Sequence, residues 1–235
     1  CPPYPSCIGD YYIGEQDISE CSETVTDYDG NTYEIVQIGN QIWMAENLKV
    51  THYNNGDEIP TGLSSGVGGE WDITTEGAYS VHSNDLANAE IYGNLYNWYA
   101  VDDERGVCPE DFHVPSDGEY KELEMALGMS ESEANNMEWR GTDEGSKLAG
   151  NSDLWSDGDL DNNSEFGTSG FNALPGGGRN INEGLFWDHG ISFSSWSSTE
   201  FHYTAWFRII YYENPTIRRN VYDKGHGFSI RCVAD

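Results

Sequence analysis

Apolar and polar residues first alternate regularly after Val25. Residues 25–44 contain three short runs of β-branched and aromatic residues, and such residues favour strands. The runs are separated by Asp29-Gly30-Asn31 and by Gly39-Asn40, which are sequences typical of hairpin turns. The pattern therefore predicts a three-stranded antiparallel meander.

A helical pattern follows a long polar segment. Residues 54–77 are rich in Gly, Ser, Asn and Asp, which predicts a loop. Large apolar residues then recur at helical spacing, namely Ile91, Leu95, Trp98 and Tyr99. We therefore expect one helix across residues 87–100.

Helix-start signals occur twice in the middle of the chain. Each is a capping box, a Ser followed three residues later by a Glu: Ser116 with Glu119, and Ser130 with Glu133. The first predicts the main helix, which Gly128 ends. The second predicts a shorter helix that runs to about Trp139, and residues 144–149 are expected to add one more turn.

Strand patterns return near the C-terminus. Apolar runs separated by turn residues predict an antiparallel meander, with strands over 191–197, 204–212, 217–222 and 227–233. Two main helices between an N-terminal hairpin and this meander describe an α+β domain of antiparallel strands and long irregular loops.

The segment 151–182 is the longest irregular stretch. Gly, Asn, Asp and Ser dominate it, and a loop of this length inside a compact domain needs something to organise it. Oxygen-bearing side chains alternate within it, at Asp157, Asp159, Asp161, Asn163 and Glu165. Such ligands suit Ca²⁺, although the full EF-hand pattern is missing. A structural calcium site is one interpretation, and a merely acidic loop is the other.

The net charge of the chain disfavours some classes of binding partner. The 235 residues carry a formal net charge of −30, which repels nucleic acid phosphates and anionic lipid headgroups. Residues 1–48 contain no Lys or Arg, whereas residues 176–235 hold six basic and six acidic residues. The acidic front and the neutral back could be complementary between copies of the chain, or the acidic surface could serve solubility alone.

The N-terminal residues form a separate region. Residues 1–24 contain three prolines and three cysteines without apolar periodicity, so we interpret them as an extended arm outside a domain at 25–235. Cys7 paired with Cys21 is the favoured bridge in the arm, which leaves Cys1 free, intermolecular or lipidated. A cysteine at the first position is typical of a processed bacterial lipoprotein, and a lipid there would be the chain's contact with a membrane. The connectivity stays open at this point.

The other two cysteines, Cys108 and Cys232, lie far apart in the domain. A bridge between them would close a loop of about 125 residues and contribute roughly 4–5 kcal/mol in the chain-entropy model. This use of cysteine is typical of an oxidising compartment, and it predicts an extracellular or cell-surface location.

The sequence contains, in this order, Asp29–Tyr33, Ile38–Leu48, Tyr92–Val101, Cys108-Pro109, Phe112–Ser116, Leu174–Gly177 with Arg179, and Gly227–Val233. Together these segments resemble the Fibrobacter succinogenes major paralogous domain family. The resemblance covers about residues 25–235. It implies a secreted bacterial domain with a C-type-lectin-like fold, in which Cys108 and Cys232 occupy paired structural positions. No catalytic site is implied.

The residues themselves also favour a function other than catalysis. The six histidines have no metal-binding spacing. The sequence contains no nucleophile-elbow motif, phosphate-cradling loop or dinucleotide fingerprint. We therefore expect a protein that is not an enzyme.

Aromatic residues crowd the C-terminal meander. In residues 204–212, Trp206, Arg208 and Tyr212 share one face of the predicted strand, while large apolar residues occupy the other. One face is expected to bind a ligand or a second subunit. The leading hypothesis is an extracellular surface module for adhesion or recognition of a carbohydrate or a protein. The alternative is a subunit that assembles with itself into an extracellular filament through the arm and this sheet.

Overall fold

The structure is a computed structural model that describes residues 24–182 and 184–235. The strands are β1 (Thr24–Thr26), β2 (Thr32–Ile38), β3 (Gln41–Met44), β4 (Tyr79–Ser80), β5 (Leu95–Tyr96), β6 (Phe112–His113), β7 (Glu138–Arg140), β8 (Gly178–Arg179), β9 (Phe186–Trp187), β10 (Ser192–Phe201), β11 (Thr204–Tyr211), β12 (Asn214–Asp223) and β13 (Val233–Ala234). The helices are α1 (Glu70–Ile73), α2 (Ala87–Tyr92), α3 (Trp98–Val101), α4 (Asp117–Ala126), α5 (Glu131–Ala134) and α6 (Glu144–Leu148).

Two sheets dominate this mixed, sheet-rich fold. The first has the strand order β1-β2-β3-β13-β6 and the second β10-β11-β12-β7. Two further sheets, β4-β5 and β8-β9, have two strands each. In all four sheets every strand pairing is antiparallel. In the part of the chain that the structure describes, no helix has the length and apolar character needed to cross a membrane.

The N-terminal meander is confirmed as β1, β2 and β3. Asp27 fixes its first turn, because its carboxylate accepts hydrogen bonds from the Asn31 side chain and, at 2.6 Å, from the Tyr33 hydroxyl. Thr24, which the sequence assigned to the arm, is the first residue of β1. The rest of the arm, including Cys1, Cys7 and Cys21, lies outside the described residues.

The single helix expected across residues 87–100 is wrong. Helix α2 ends at Tyr92, because Gly93 has φ +74° and packs so closely that a Cβ there would lie 2.7 Å from the Asn47 Cβ. A residue with positive φ leaves the right-handed helical conformation, and the close contact leaves room there for glycine only. The chain continues as β5, which pairs with β4, and then starts α3.

The two capping boxes start α4 and α5 as predicted. However, α5 ends at Ala134, before Trp139, and the residues after it join the second sheet as β7. Glu138 adopts φ +68° at this junction, which is incompatible with a right-handed helix. The predicted extra turn near residue 144 is α6.

The predicted C-terminal meander is confirmed for β10, β11 and β12, but its fourth strand is wrong. Only Val233–Ala234 forms a strand, and it belongs to the first sheet. The segment before it runs between the two sheets, since Ser229 bridges to β10 and the amide of Leu48 donates to the carbonyl of Ile230. The fourth strand of the second sheet is β7 instead.

Cys108 and Cys232 form the expected disulfide, with their Cα atoms 5.9 Å apart. The bond joins the loop before β6 to the segment that leads into β13. Both strands neighbour each other in the first sheet, so the disulfide fixes the end of the chain onto that sheet.

Candidate ligand-binding pocket

The two faces of the second sheet have opposite surroundings. Side chains alternate between faces along a strand, so in β11 Phe207, Ile209 and Tyr211 point away from Trp206 and Arg208. Helix α4 packs over the second set, and we call this the helix-covered face. The other is the open face.

Arg208 is the centre of the helix-covered face. Its side chain is fully buried. Its Nη1 lies 2.9 Å from Asp117 Oδ1 and its Nε lies 2.6 Å from Glu124 Oε1. Both carboxylates belong to α4, so these ion pairs join the helix to the sheet.

Two further arginines complete this ion-pair network. Arg219 from β12 donates two hydrogen bonds of 2.7 Å to Asp117, and Arg140 from β7 pairs with Glu124 at 2.5 Å. Burial alone would raise the pKa of Asp117. The guanidinium groups of Arg219 and Arg208 outweigh burial and lower that pKa to about 2. Each buried carboxylate is thus held by two arginines.

The structure corrects the sequence-based choice of binding residues. Trp206 and Arg208 lie in the interior, where the Trp206 ring stacks on the Arg219 guanidinium at 3.6 Å. Neither presents a surface to a partner. Tyr212 lies past the end of β11, half-buried, and its hydroxyl contacts Glu213.

The open face holds a cavity of about 270 Å³. It is lined by Trp139, Trp187, Asp188, Phe207, Ile209, Tyr211, Arg218 and Tyr222. Trp139 and Tyr222 are each 39% exposed, whereas Phe207 and Ile209 are buried and form the floor. We call this cavity the aromatic pocket.

Ring contacts fix several of the pocket's aromatic residues. Phe207 stacks on Phe228 with the ring centroids 5.2 Å apart, and Trp187 meets the same ring edge-on at 6.0 Å. Tyr222 meets Phe207 edge-on at 5.4 Å. Because these rings are already packed on one another, the pocket is formed without a ligand.

One side of the pocket carries a neutralised charge. Arg218 Nε donates to Glu138 Oε2 at 2.7 Å, and the Asn220 side chain donates to the other oxygen of the same carboxylate at 2.7 Å. The guanidinium and the carboxylate therefore offset each other at this edge.

A second charged lining residue, Asp188, has no such partner among the described residues. Asp188 is half-buried, and within residues 24–182 and 184–235 no group donates a hydrogen bond to its carboxylate. Burial raises the pKa of Asp188. The pKa of Tyr211 is raised by its own desolvation and then by the negative charge of Asp188, so the two groups lie within electrostatic reach.

The sequence pointed to part of this pocket only. Strand alternation correctly placed Phe207, Ile209 and Tyr211 on one face. Trp139 was missed because the predicted helix extended over it. Asp188 lies in a turn with φ +56°, and no motif in the sequence marked it.

Three of the five predicted calcium ligands accept hydrogen bonds within their own loop. Asp157 accepts from the Asn162 side chain, Asp161 accepts from the amide of Gly158, and Asn163 accepts from the amide of Glu165. Asp159 is exposed. Among the described residues no group of three or more His, Cys, Asp or Glu side chains is arranged to hold a metal. Calcium binding stays a prediction from spacing alone.

A buried arginine helps to organise the irregular segment 151–182. Arg231 is fully buried and donates to the carbonyls of Phe171, Asn172 and Met44 and to the Asn47 side chain. Burial lowers the pKa of Arg231 to about 9. The sequence showed this residue only as part of a family phrase.

Comparison with known proteins gives one family. A model described as the Fibrobacter succinogenes major domain matches residues 36–234, which confirms the resemblance seen in the sequence. The matched range contains every residue of the aromatic pocket. No curated protein and no solved structure matches the chain.

Proposed function

The chain belongs to the Fibrobacter succinogenes major domain family, and on that premise we propose that it is a recognition module that binds a carbohydrate in the aromatic pocket. One observation carries the proposal. The open face presents aromatic rings, a guanidinium and a carboxylate that has no partner among the described residues, all around one preformed cavity.

The chemistry of the pocket suits a sugar ring. The C–H faces of a pyranose pack on aromatic rings, and its hydroxyls need donors and acceptors at the ring's edge. Trp139, Trp187 and Tyr222 supply the aromatic rings. Asp188 and Arg218 supply the acceptors and donors. The proposed action is binding without turnover, since Asp188 is the one carboxylate among the described residues that line the pocket, and the nearby Glu138 is engaged by Arg218 and Asn220.

We further propose a C-type-lectin-like fold and an extracellular or cell-surface location. The fold is supported by the first sheet, which contains both the first strand β1 and the last strand β13. The location is supported by the Cys108–Cys232 disulfide, because disulfides persist in oxidising compartments.

Trp139→Ala tests the function. An oligosaccharide array identifies a ligand for the unaltered protein, and titration calorimetry then measures its affinity. We expect the variant to bind about tenfold more weakly, as loss of one stacked ring implies. Tyr203→Ala is the matched control, since Tyr203 is 93% exposed on the hairpin between β10 and β11 and does not line the pocket.

Two results would contradict the proposal. One is the absence of binding to any oligosaccharide on the array. The other is equal weakening by Trp139→Ala and Tyr203→Ala, which would place the ligand elsewhere.

Self-assembly into a filament is the competing function. The helix-covered face gives it no free surface, because α4 occupies that face. Regular fibres seen by negative-stain microscopy would favour assembly through the arm, whereas a discrete monomer that binds an oligosaccharide would favour recognition.

A further inference from the structure

We propose that the aromatic pocket selects a sugar that carries a free ammonium group, which is an amino sugar, over neutral or acidic sugars. This inference rests on the proposed function, because it names the ligand class of the same pocket.

The first reason is the carboxylate of Asp188, which is unpaired among residues 24–182 and 184–235. A half-buried charge without a partner is costly, and a ligand that brings the opposite charge removes this cost. A neutral hydroxyl donates a hydrogen bond but leaves the charge uncompensated. An ammonium group does both, and hydrogen bonds between ionised groups are the stronger kind.

The second reason is the charge balance around the cavity. Among the described residues, Arg218 is the one basic residue in the lining, and Glu138 lies 2.7 Å from its Nε. Asp188 is left as the uncompensated charge. An acidic sugar would meet that carboxylate, with a guanidinium that is already paired as its only attraction. The chain's net charge of −30 also attracts cations from solution.

The third reason is the aromatic lining. Indole and phenol rings attract cations through their π faces, so the rings that pack on the pyranose also favour a positively charged group. A cavity of about 270 Å³ accommodates a sugar ring and not merely a bare ammonium group. A sugar ring and an ammonium group together use both features of the pocket.

Titrations with three monosaccharides test the selection. Glucosamine, N-acetylglucosamine and glucose share one ring, but only the first carries an ammonium group. Each is titrated into the ¹⁵N-labelled full chain while the indole signals of Trp139 and Trp187 are followed. We expect glucosamine to bind about tenfold more tightly than the other two, as one charge-assisted hydrogen bond implies.

Asp188→Asn provides the decisive variant. It keeps the side-chain shape and removes the charge, so we expect the preference for glucosamine to disappear while weak binding of glucose persists. Equal binding of all three sugars by the unaltered protein would overturn this inference and leave carbohydrate binding intact. Equally tight binding of methylamine would overturn the sugar part of it. No binding of any sugar would overturn the proposed function as well.

Discussion

The helix-covered face and the open face of the second sheet treat buried charge in opposite ways. On the first, Asp117 and Glu124 are each held by two arginines. On the second, Asp188 receives no hydrogen bond from the described residues, and it lines the aromatic pocket. The same strands build both faces, but the carboxylates come from elements outside the sheet: Asp117 and Glu124 belong to α4, and Asp188 follows β9.

This contrast separates stability from the recognition that we propose. Charges inside a protein need a partner, and the helix-covered face finds its partners within the chain. That face can thus hold α4 against the sheet while the open face stays available. A carboxylate left unpaired at the edge of a preformed pocket is available to a partner from outside.

Arg208→Met is expected to have the largest effect on stability of the substitutions that test this contrast. It leaves part of the charge on Asp117 and Glu124 buried without its partner, and the loss of one member of a buried ion pair costs about 3–5 kcal/mol. Urea denaturation should show this decrease in the free energy of unfolding. Sugar affinity of the folded fraction should not change, because Arg208 is on the other side of the sheet.

Arg218→Met is the matched control on the open face. Its ion pair with Glu138 is partly exposed, with 34% and 57% of the two side chains accessible, and exposed pairs contribute less than about 1 kcal/mol. Equal destabilisation by the two variants would refute the division between the faces.

The sequence predicted the regular elements better than the pocket. Both capping boxes were found because a helix start is encoded within four residues. The break at Gly93 was missed because it depends on close packing against Asn47, which lies far away in the chain. The fourth strand of the second sheet was misassigned because β7 pairs with β12 across about 80 residues, and no local pattern records such a partner.

The same limit applies to the pocket and to the ion-pair network. Alternation in β11 correctly divided its side chains into two sets, but it could not show which set α4 covers. Arg208 was therefore assigned to the surface. Asp188 became a candidate only when its surroundings showed that no donor from the described part of the chain faces it.

Asp117→Asn tests the helix-covered face through the pH dependence of the free energy of unfolding. A fall of the Asp117 pKa from 3.8 to about 2 corresponds to about 2 kcal/mol of stability. Because the folded pKa lies below the unfolded one, this stability is present above pH 4 and is lost as the pH falls through about 2. The variant should unfold more easily than the unaltered protein at pH 7, and the difference should shrink in acid.

Stability curves in urea from pH 7 down to pH 2 provide the measurement for Asp117→Asn. The comparison between the two proteins at each pH removes the effect of the other carboxylates. A difference that stays constant over this range would show that the charge of Asp117 is not what stabilises the fold.

Asp188→Asn should have the smallest effect on stability. It should stabilise the fold at pH 7, whereas Asp117→Asn should destabilise it. Burial raises the pKa of Asp188, so its charged form is less favourable in the folded protein than in the unfolded chain. This destabilisation is present at pH 7 and is relieved as the pH falls through the raised pKa and then the unfolded value. The variant should therefore be slightly more stable than the unaltered protein at pH 7, by less than about 1 kcal/mol, and the gain should fade in acid.

Asn also tolerates φ +56° well, but that backbone contribution does not depend on pH, so the pH-dependent part isolates the charge. A loss of stability at pH 7 that disappears in acid would mean that Asp188 already has a partner within the chain, and the open face would then resemble the helix-covered one.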